Sequence, residues 1–553
     1  MRYKNIFKVT ACIALISLAT ACKKVNSYLD KAESGGITDE ELFNSYVQTD
    51  AFLANIYSTG ISAGDWMPVY SFTYAAACDE AKCPYPFTYS TINFTNGLIS
   101  PTNNPIDIWA KSYQNIRKAN IFLQHIDALP VSGANEETGK FRMKGEALFL
   151  RAFFYQELYK RYGAVPLLDK PLSIDEDLQL PRNTEEEVVE FIVKDCDAAA
   201  ELLPATHSAV NLGRAPKGAA LLLKSRVLLY AASLLHNPEN KPEKWQRAAD
   251  AAKAVIDMNV YRLDDNYKTL FHTRTSPEVI FQSTVNQVWK VVDNDWVRHT
   301  EPPSQGGGWG NLQPLQNLVD EYEMKNTGKY ITDPTSGYNA AKPYVGRDPR
   351  FYQSIIYDSC KWAGATINTY VGSGVDGLNY NNNAAATKTG YYVAKLLDEN
   401  ATLITSYKPG SHYWVFMRYA EVLLNYAEAK NEALGAPDQT VYEAVNQIRA
   451  RKNVDMPALP TGLSKVEMRQ RVRHERRIEL AFETHRFWDL RRWRIGTQEG
   501  TVAYGMRITK SGTVYSYEKF LLENRVYRPA FDLFPIPQTE REKNQALTQN
   551  QGY

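Results

Sequence analysis

The sequence predicts a mostly α protein, in which helix pairs of the tetratricopeptide type pack against an irregular, loop-rich region with short strands. Three observations point there. Segments with apolar residues at i, i+3 and i+4 follow one another closely, many of them roughly 17–25 residues long. Small residues fall where antiparallel pairs would cross, as from Asn425 to Lys430, although a 34-residue repeat is not cleanly present. Between about 262 and 410 the texture changes. Gly306-Gly307-Gly308, the asparagines from Asn379 to Asn383 and scattered prolines mark long loops, with β-rich pieces at Val279–Val285 and Arg350–Tyr357. Long irregular segments in a compact protein are commonly functional.

The first element is a leader. Arg2, Lys4 and Lys8 precede an apolar run from Val9 to Ala21, closed by Ala19-Thr20-Ala21-Cys22. A charged start, a short apolar core and small residues at the cleavage point describe a secretory signal. The run is about 13 residues, whereas a spanning helix needs about 20. A cysteine directly after the small residues specifies a lipoprotein: residues 1–21 are removed, Cys22 carries lipid, and several acyl chains hold firmly where one holds marginally. Residues 22–553 then read as one domain, with an N-terminal part (about 22–261), a loop-rich ligand-binding part (about 262–410) and a C-terminal helical part (about 411–553). No later apolar stretch approaches spanning length.

Helices follow in order. Thr38 and Glu41 form a capping box for a helix over 38–60. Segments 105–129 and 138–161 come next; in the second, Ala147, Leu150, Phe154 and Leu158 share a face. Gly163 ends it, and Val165-Pro166-Leu167 makes an extended exit. Further helices are expected at 184–203, 215–236, 243–259, 414–434, 438–452 and 464–482, the last opened by a capping box of Ser464 and Glu467.

Charge excludes one class of partner. The chain has 63 basic and 62 acidic side chains, and cleavage before Cys22 removes three basic ones and no acidic one. Without a basic excess there is no electrostatic case for nucleic acid. Cys78 and Cys83, five apart in an exported chain, leave a local disulfide open. No His-Glu-x-x-His, Gly-x-Ser-x-Gly or phosphate-binding Gly-Lys motif is present. His474 and His485 read as structural, and Asp264-Asp265-Asn266 lacks the spacing of a calcium loop; neither metal nor cofactor is expected. Glu475 and Glu479 share one stripe of the 464–482 helix. Paired carboxylates raise acid–base catalysis, but these lie among Arg473, Arg476, Arg477, Arg486, Arg491 and Arg492, so buried ion pairs are the expected arrangement.

Several segments together resemble a known family. "RHERRIELAFETHRFWDLRRW" (Arg473 to Trp493) and "FPIPQTEREKNQALTQNQGY" (Phe534 to Tyr553) are similar to the signatures of the SusD/RagB outer-membrane lipoproteins of Bacteroidetes. So are "RAFFYQELYKRYGAVPLL" (Arg151 to Leu168), "RYAEVLLNYAEAKNEAL" (Arg418 to Leu434), "GRDPRF" (Gly346 to Phe351) and "CKKVNSYLD" from Cys22. One departure is Thr484, where the family often has Gly. The resemblance implies a SusD-like fold and a lipid-anchored protein on the outer face of the outer membrane. There it would bind glycans, without catalysis, as the lid of a SusC-like TonB-dependent transporter. A peptide-binding component of a similar importer is the alternative, and a surface glycoside hydrolase a further one.

With 35 Tyr and 10 Trp, many in Gly/Pro/Asn-rich stretches, the expected ligand site is aromatic and loop-borne. The first region, Asp79 to Asn93, offers Tyr85, Phe87 and Tyr89 beside Asp79 and Asn93. The second, 286 to 311, offers Trp289, Trp296 and Trp309 near glycines. A flat ring suits the C–H face of a sugar, and amide or carboxylate groups suit its hydroxyls.

Overall fold

A computed structural model describes residues 39–61, 74–85, 89–173, 175–273, 275–283, 297–400 and 414–553. The signal sequence, Cys22 and Thr38 lie outside the described residues.

The helical side begins with α1 (Tyr46–Gly60), preceded by a short turn of helix at Asp39–Phe43, and α2 (Trp109–His125). It continues through α3 (Ala134–Tyr162), α4 (Glu185–Leu202), α5 (Lys217–Ala232) and α6 (Pro242–Asp257). Each of α2 to α6 packs against the next in sequence, which is how helix pairs bury faces that no single helix could cover. The 29 residues of α3 make a rod about 43 Å long, and its second half is buried on every side. Gly163 stops it at φ +71°, donating its amide to Tyr159 O at 2.8 Å; a side chain there would meet the Glu185 carboxylate. Alanines at 248, 249, 251 and 252 line the buried face of α6, allowing close approach to both neighbours, α5 and α7 (Tyr419–Ala433). The helical side closes with α8 (Gln439–Arg449), α9 (Lys465–Glu479) and α10 (His485–Arg492). The expected capping box opens α9: Ser464 Oγ accepts the Glu467 amide, and Glu467 accepts that of Ser464.

Short antiparallel ribbons make the other side. They pair β1 (Ala81–Lys82) with β3 (Gln313–Pro314), β2 (Val279–Gln282) with β8 (Val415–Arg418), β4 (Ile355–Ile356) with β7 (Tyr392–Val393), and β5 (Cys360–Trp362) with β6 (Ala365–Ile367). The longest is a hairpin of β9 (Val502–Ser511) and β10 (Val514–Asn524), turned at Gly512 with φ +61°. The main apolar core runs from Phe43 to Leu547, with a small separate cluster of Tyr267, Val454 and Met456.

The elements depart from expectation at several places. The helix expected over 38–60 is broken at Asn44–Ser45, where Ser45 caps α1 afresh. The helix expected over 414–434 begins only at Tyr419, because Val415 to Arg418 are buried on both faces and pair with β2; an apolar run of that length fits a strand as well as a helix. Arg350–Tyr357 is mostly helix: Asp348 caps Pro349–Ser354, with Pro at its first turn, and only Ile355–Ile356 is strand. The β9–β10 hairpin and α10 lie in segments to which the periodicity assigned no element.

The last residues close on the helical side. Asn550 Nδ2 donates to the carbonyls of Tyr162 and Phe534 at 3.0 and 2.7 Å, Arg182 reaches Asn550 Oδ1 at 2.7 Å, and Gln179 Nε2 donates to Lys543 O at 2.9 Å.

Candidate ligand-binding site

Pairing of β1 with β3 brings the two expected regions together. Ala81 lies opposite Pro314 and Lys82 opposite Gln313, and the Leu315 amide donates to Glu80 O at 2.9 Å. The chain leaving β1 therefore runs beside the chain entering β3. There Cys83 Sγ donates to Asn311 Oδ1 at 2.8 Å, and the Tyr85 ring lies 6.3 Å from that of Trp309, tilted by 47°. His299 stands edge-on to Trp309 at 4.5 Å.

The turn that presents Trp309 is tightly built. The amides of Trp309, Gly310 and Asn311 donate to the carbonyls of Arg298, Glu301 and His299 at 2.6, 3.0 and 2.5 Å. A side chain on Gly308 would lie 2.3 Å from Glu301 O, so the glycine is needed for the fold-back. Tyr85 and Trp309 are both partly buried, neither sealed in the core. Burial pushes the Tyr85 phenol up to about 12, so it stays a neutral hydroxyl. Burial, and then the neighbouring Arg298, pulls His299 down to about 4, leaving an uncharged imidazole at neutral pH.

Asp79 is a correction to the expected set. Its carboxylate is 3 % exposed and takes bonds from Arg486 at 2.9 and 2.8 Å and from Arg477 at 2.7 Å. Burial pushes its pKa up, but the two guanidiniums outweigh that and hold it well below the usual carboxylate range. It is an internal counter-ion that fastens the segment before β1 to α9 and α10. Asn93, on the short helix Tyr89–Thr95, donates to Asn103 Oδ1 at 3.0 Å and so braces the 98–103 turn. Phe87, Trp289, Trp296 and the Tyr89 side chain lie outside the described residues. The sequence reading missed His299 and Asn311, since only the folded-back turn and the β1–β3 pairing bring them to Trp309 and Cys83. Cys78, Cys83, Cys196 and Cys360 are free thiols, so the local disulfide left open does not form here.

The glutamates of α9 are ion-paired as expected. Glu475 meets Arg350 at 2.5 Å and Arg449 at 2.9 Å; Glu479 meets Arg451 at 2.7 Å, Arg418 at 2.8 Å and Arg350 at 3.0 Å. Burial raises both pKa values, but the surrounding arginines more than reverse this, so both stay ionised. A carboxylate sealed and ionised in this way cannot serve as a general acid.

The family model described as the SusD family matches residues 277–553, half of the chain. The chain belongs to the SusD family. A second model, described as starch-binding associating with outer membrane, matches residues 27–229. Among SusD-like relatives, protein P2 of Formosa agariphila is 24% identical over 524 residues, covering 89% of this chain and 91% of its own. A SusD-like protein of Bacteroides ovatus is 22% identical over 497 residues, covering 89% and 82%. A SusD-like protein from Bacteroides fragilis superposes with a TM-score of 0.77 at 28% identity, over 94% of this chain and 99% of that one. A SusD-like carbohydrate binding protein from the same species gives 0.76 at 25%, over 92% and 100%. A laminarin-binding SusD-like protein shares the fold, with 0.64 at 22% over 92% and 99%.

Proposed function

We propose that this SusD family member is a non-catalytic glycan-binding lipoprotein. It is anchored through Cys22 to the outer membrane, faces outward, and delivers oligosaccharide or polysaccharide to a SusC-like TonB-dependent transporter. The observation that carries the glycan reading is the Tyr85–Trp309 pair, two partly buried aromatic residues from separate loops whose rings lie 6.3 Å apart. An aromatic face beside an uncharged hydroxyl and imidazole suits the mixed C–H and O–H surface of a sugar. Family membership, the carbohydrate binding protein of Bacteroides fragilis and the laminarin-binding neighbour support the same reading.

The test is calorimetric titration of wild type, Tyr85→Ala and Trp309→Ala with a glycan selected on an array. Loss of one stacking ring removes contact area worth about 1–3 kcal/mol, roughly a ten- to hundredfold loss of affinity. The bound oligosaccharide should be recovered unchanged after prolonged incubation. Wild-type affinity in both folded variants would overturn the site, and turnover surviving repurification would overturn the non-catalytic reading.

A further inference from the structure

The turn that carries Trp309 borders a second concavity. Ser304 and Gln305 on one side, and β6 with the loop after it on the other, enclose a groove of about 560 Å3. Its polar lining is Ser304, Gln305, Thr366, Asn368, Ser373 and Asp376, with no lysine or arginine. The walls are held in place before any ligand arrives. Asp376 Oδ1 accepts the Ser304 amide at 2.9 Å, tying the two sides together. Asp358 Oδ1 takes the amides of Thr369 and Tyr370 at 2.7 and 3.0 Å. Ser373 Oγ donates to Asn368 O at 2.6 Å, and the Val371 amide donates to Ile508 O of β9 at 2.9 Å.

Polar atoms remain over. Among the described residues the Asp376 carboxylate is met by Ser304 alone, through its amide and its hydroxyl, and Asn368 Nδ2 gives no hydrogen bond. An acceptor, an amide donor and several hydroxyls on one wall match a chain of hydroxyl groups, each of which both donates and accepts. The Asp376 carboxylate opposes a carboxylated or sulfated ligand at its end of the groove, while Lys361 reaches the far rim through Thr366 Oγ1 at 2.6 Å. The distance also fits. Ser304 and Trp309 are five residues apart, which no extended segment stretches beyond about 18 Å. The turn between them is folded back by the bond from the Gly307 amide to Pro303 O at 3.1 Å.

We propose that this groove is a second contact zone for the bound glycan, taking an uncharged stretch of the sugar chain beyond the ring stacked at Tyr85 and Trp309. The inference rests on the glycan reading above. It makes the ligand an oligosaccharide long enough to reach both places, built of neutral sugars at the groove end.

The experiment screens the full mature protein against an array of neutral, uronate-containing and sulfated oligosaccharides of graded length. The best neutral series is then titrated by calorimetry. Wild-type affinity should rise with chain length. Asp376→Asn keeps the shape and the bond to Ser304, and Asn368→Ala trims a partly exposed amide. Each should cost roughly tenfold or more on long members and leave the shortest binding member unchanged, whereas Trp309→Ala should weaken all. Val375→Trp, at an exposed lining position, obstructs the groove without touching the core and should abolish the length dependence. Binding confined to acidic glycans, or groove variants that hold long chains as wild type does, overturns the second zone but keeps the glycan reading. Failure of the wild type to bind any glycan on the array overturns that reading, and this inference with it.

Discussion

Glu80 is a carboxyl sealed in the core beside an ionised neighbour. It is 1 % exposed, and burial together with the negative charge of Asp79 pushes it up to about 8, against the pull of Arg486, Arg477 and the Phe482 amide. The folded protein thus keeps a proton that the unfolded chain releases near 4.5. Stability therefore falls as pH rises from about 4.5 towards about 8, where the loss is complete. Glu80→Gln should flatten this slope in urea unfolding followed across pH, and should be the more stable protein at pH 8. An unchanged slope would show that the proton is held elsewhere. Residue-level roles were only partly legible in the sequence. Asp79 and Glu80 look alike as neighbours in a loop, and only the approach of Arg477 and Arg486 decides that one is ionised and the other neutral. Trp309 and Tyr85 could each be picked out, Trp309 because glycines flank it, but not that these two rings of all the candidates would meet.

At the scale of elements, the turn between α9 and α10 is strained. Phe482 and Thr484 both adopt left-handed backbone, at φ +63° and +72°. A residue with a Cβ pays about 1–2 kcal/mol there, and Thr484 makes no capping bond in return. This gives a physical reason for the glycine often found at that place in the family. Thr484→Gly should relieve the strain, partly offset by a freer unfolded chain, for a net gain of about 0.5–1 kcal/mol in a urea melt. A loss of stability would mean that the threonine side chain is doing something its contacts do not reveal. Long amphipathic helices were the legible elements, because α3, α4 and α9 each carry periodicity, a cap or a terminal glycine in the local sequence. The ribbons were not. β8 and β1 are defined by partners more than 130 and 230 residues away in the chain (β2 and β3), and nothing local to either announces its partner.

Across the whole molecule, buried charge ties distant segments together. Arg418, 2 % exposed, bonds Glu278 at 2.7 Å, Glu479 at 2.8 Å and Glu483 at 2.7 Å, so β8 is joined to the segment before β2 and to the end of α9. Removing it leaves carboxylates uncompensated in a dry interior, so Arg418→Met should destabilise by about 3–5 kcal/mol in denaturant unfolding. A near-neutral result would mean that Lys395 and Arg451 suffice to hold those acids. At the same scale stands the anchor, which belongs to the proposed function. Labelled fatty acid should enter the wild type and not Cys22→Ala, which should lose stable membrane attachment; equal labelling of both would refute lipidation there.

The closure of residues 543–550 onto Tyr162, Gln179 and Arg182 has a consequence for biosynthesis. Gln179 waits for Lys543 across 364 residues, so the helical side keeps an open seam until residues 543–550 have been made and brought to it. Pairings that distant form slowly and late. Shorter products of interrupted translation would all display that seam, with the Tyr162 carbonyl and the Arg182 guanidinium missing their Asn550 partner. A chain cut short before residue 543 should therefore be cleaved faster by a protease at 162–182 than one that carries the closing segment.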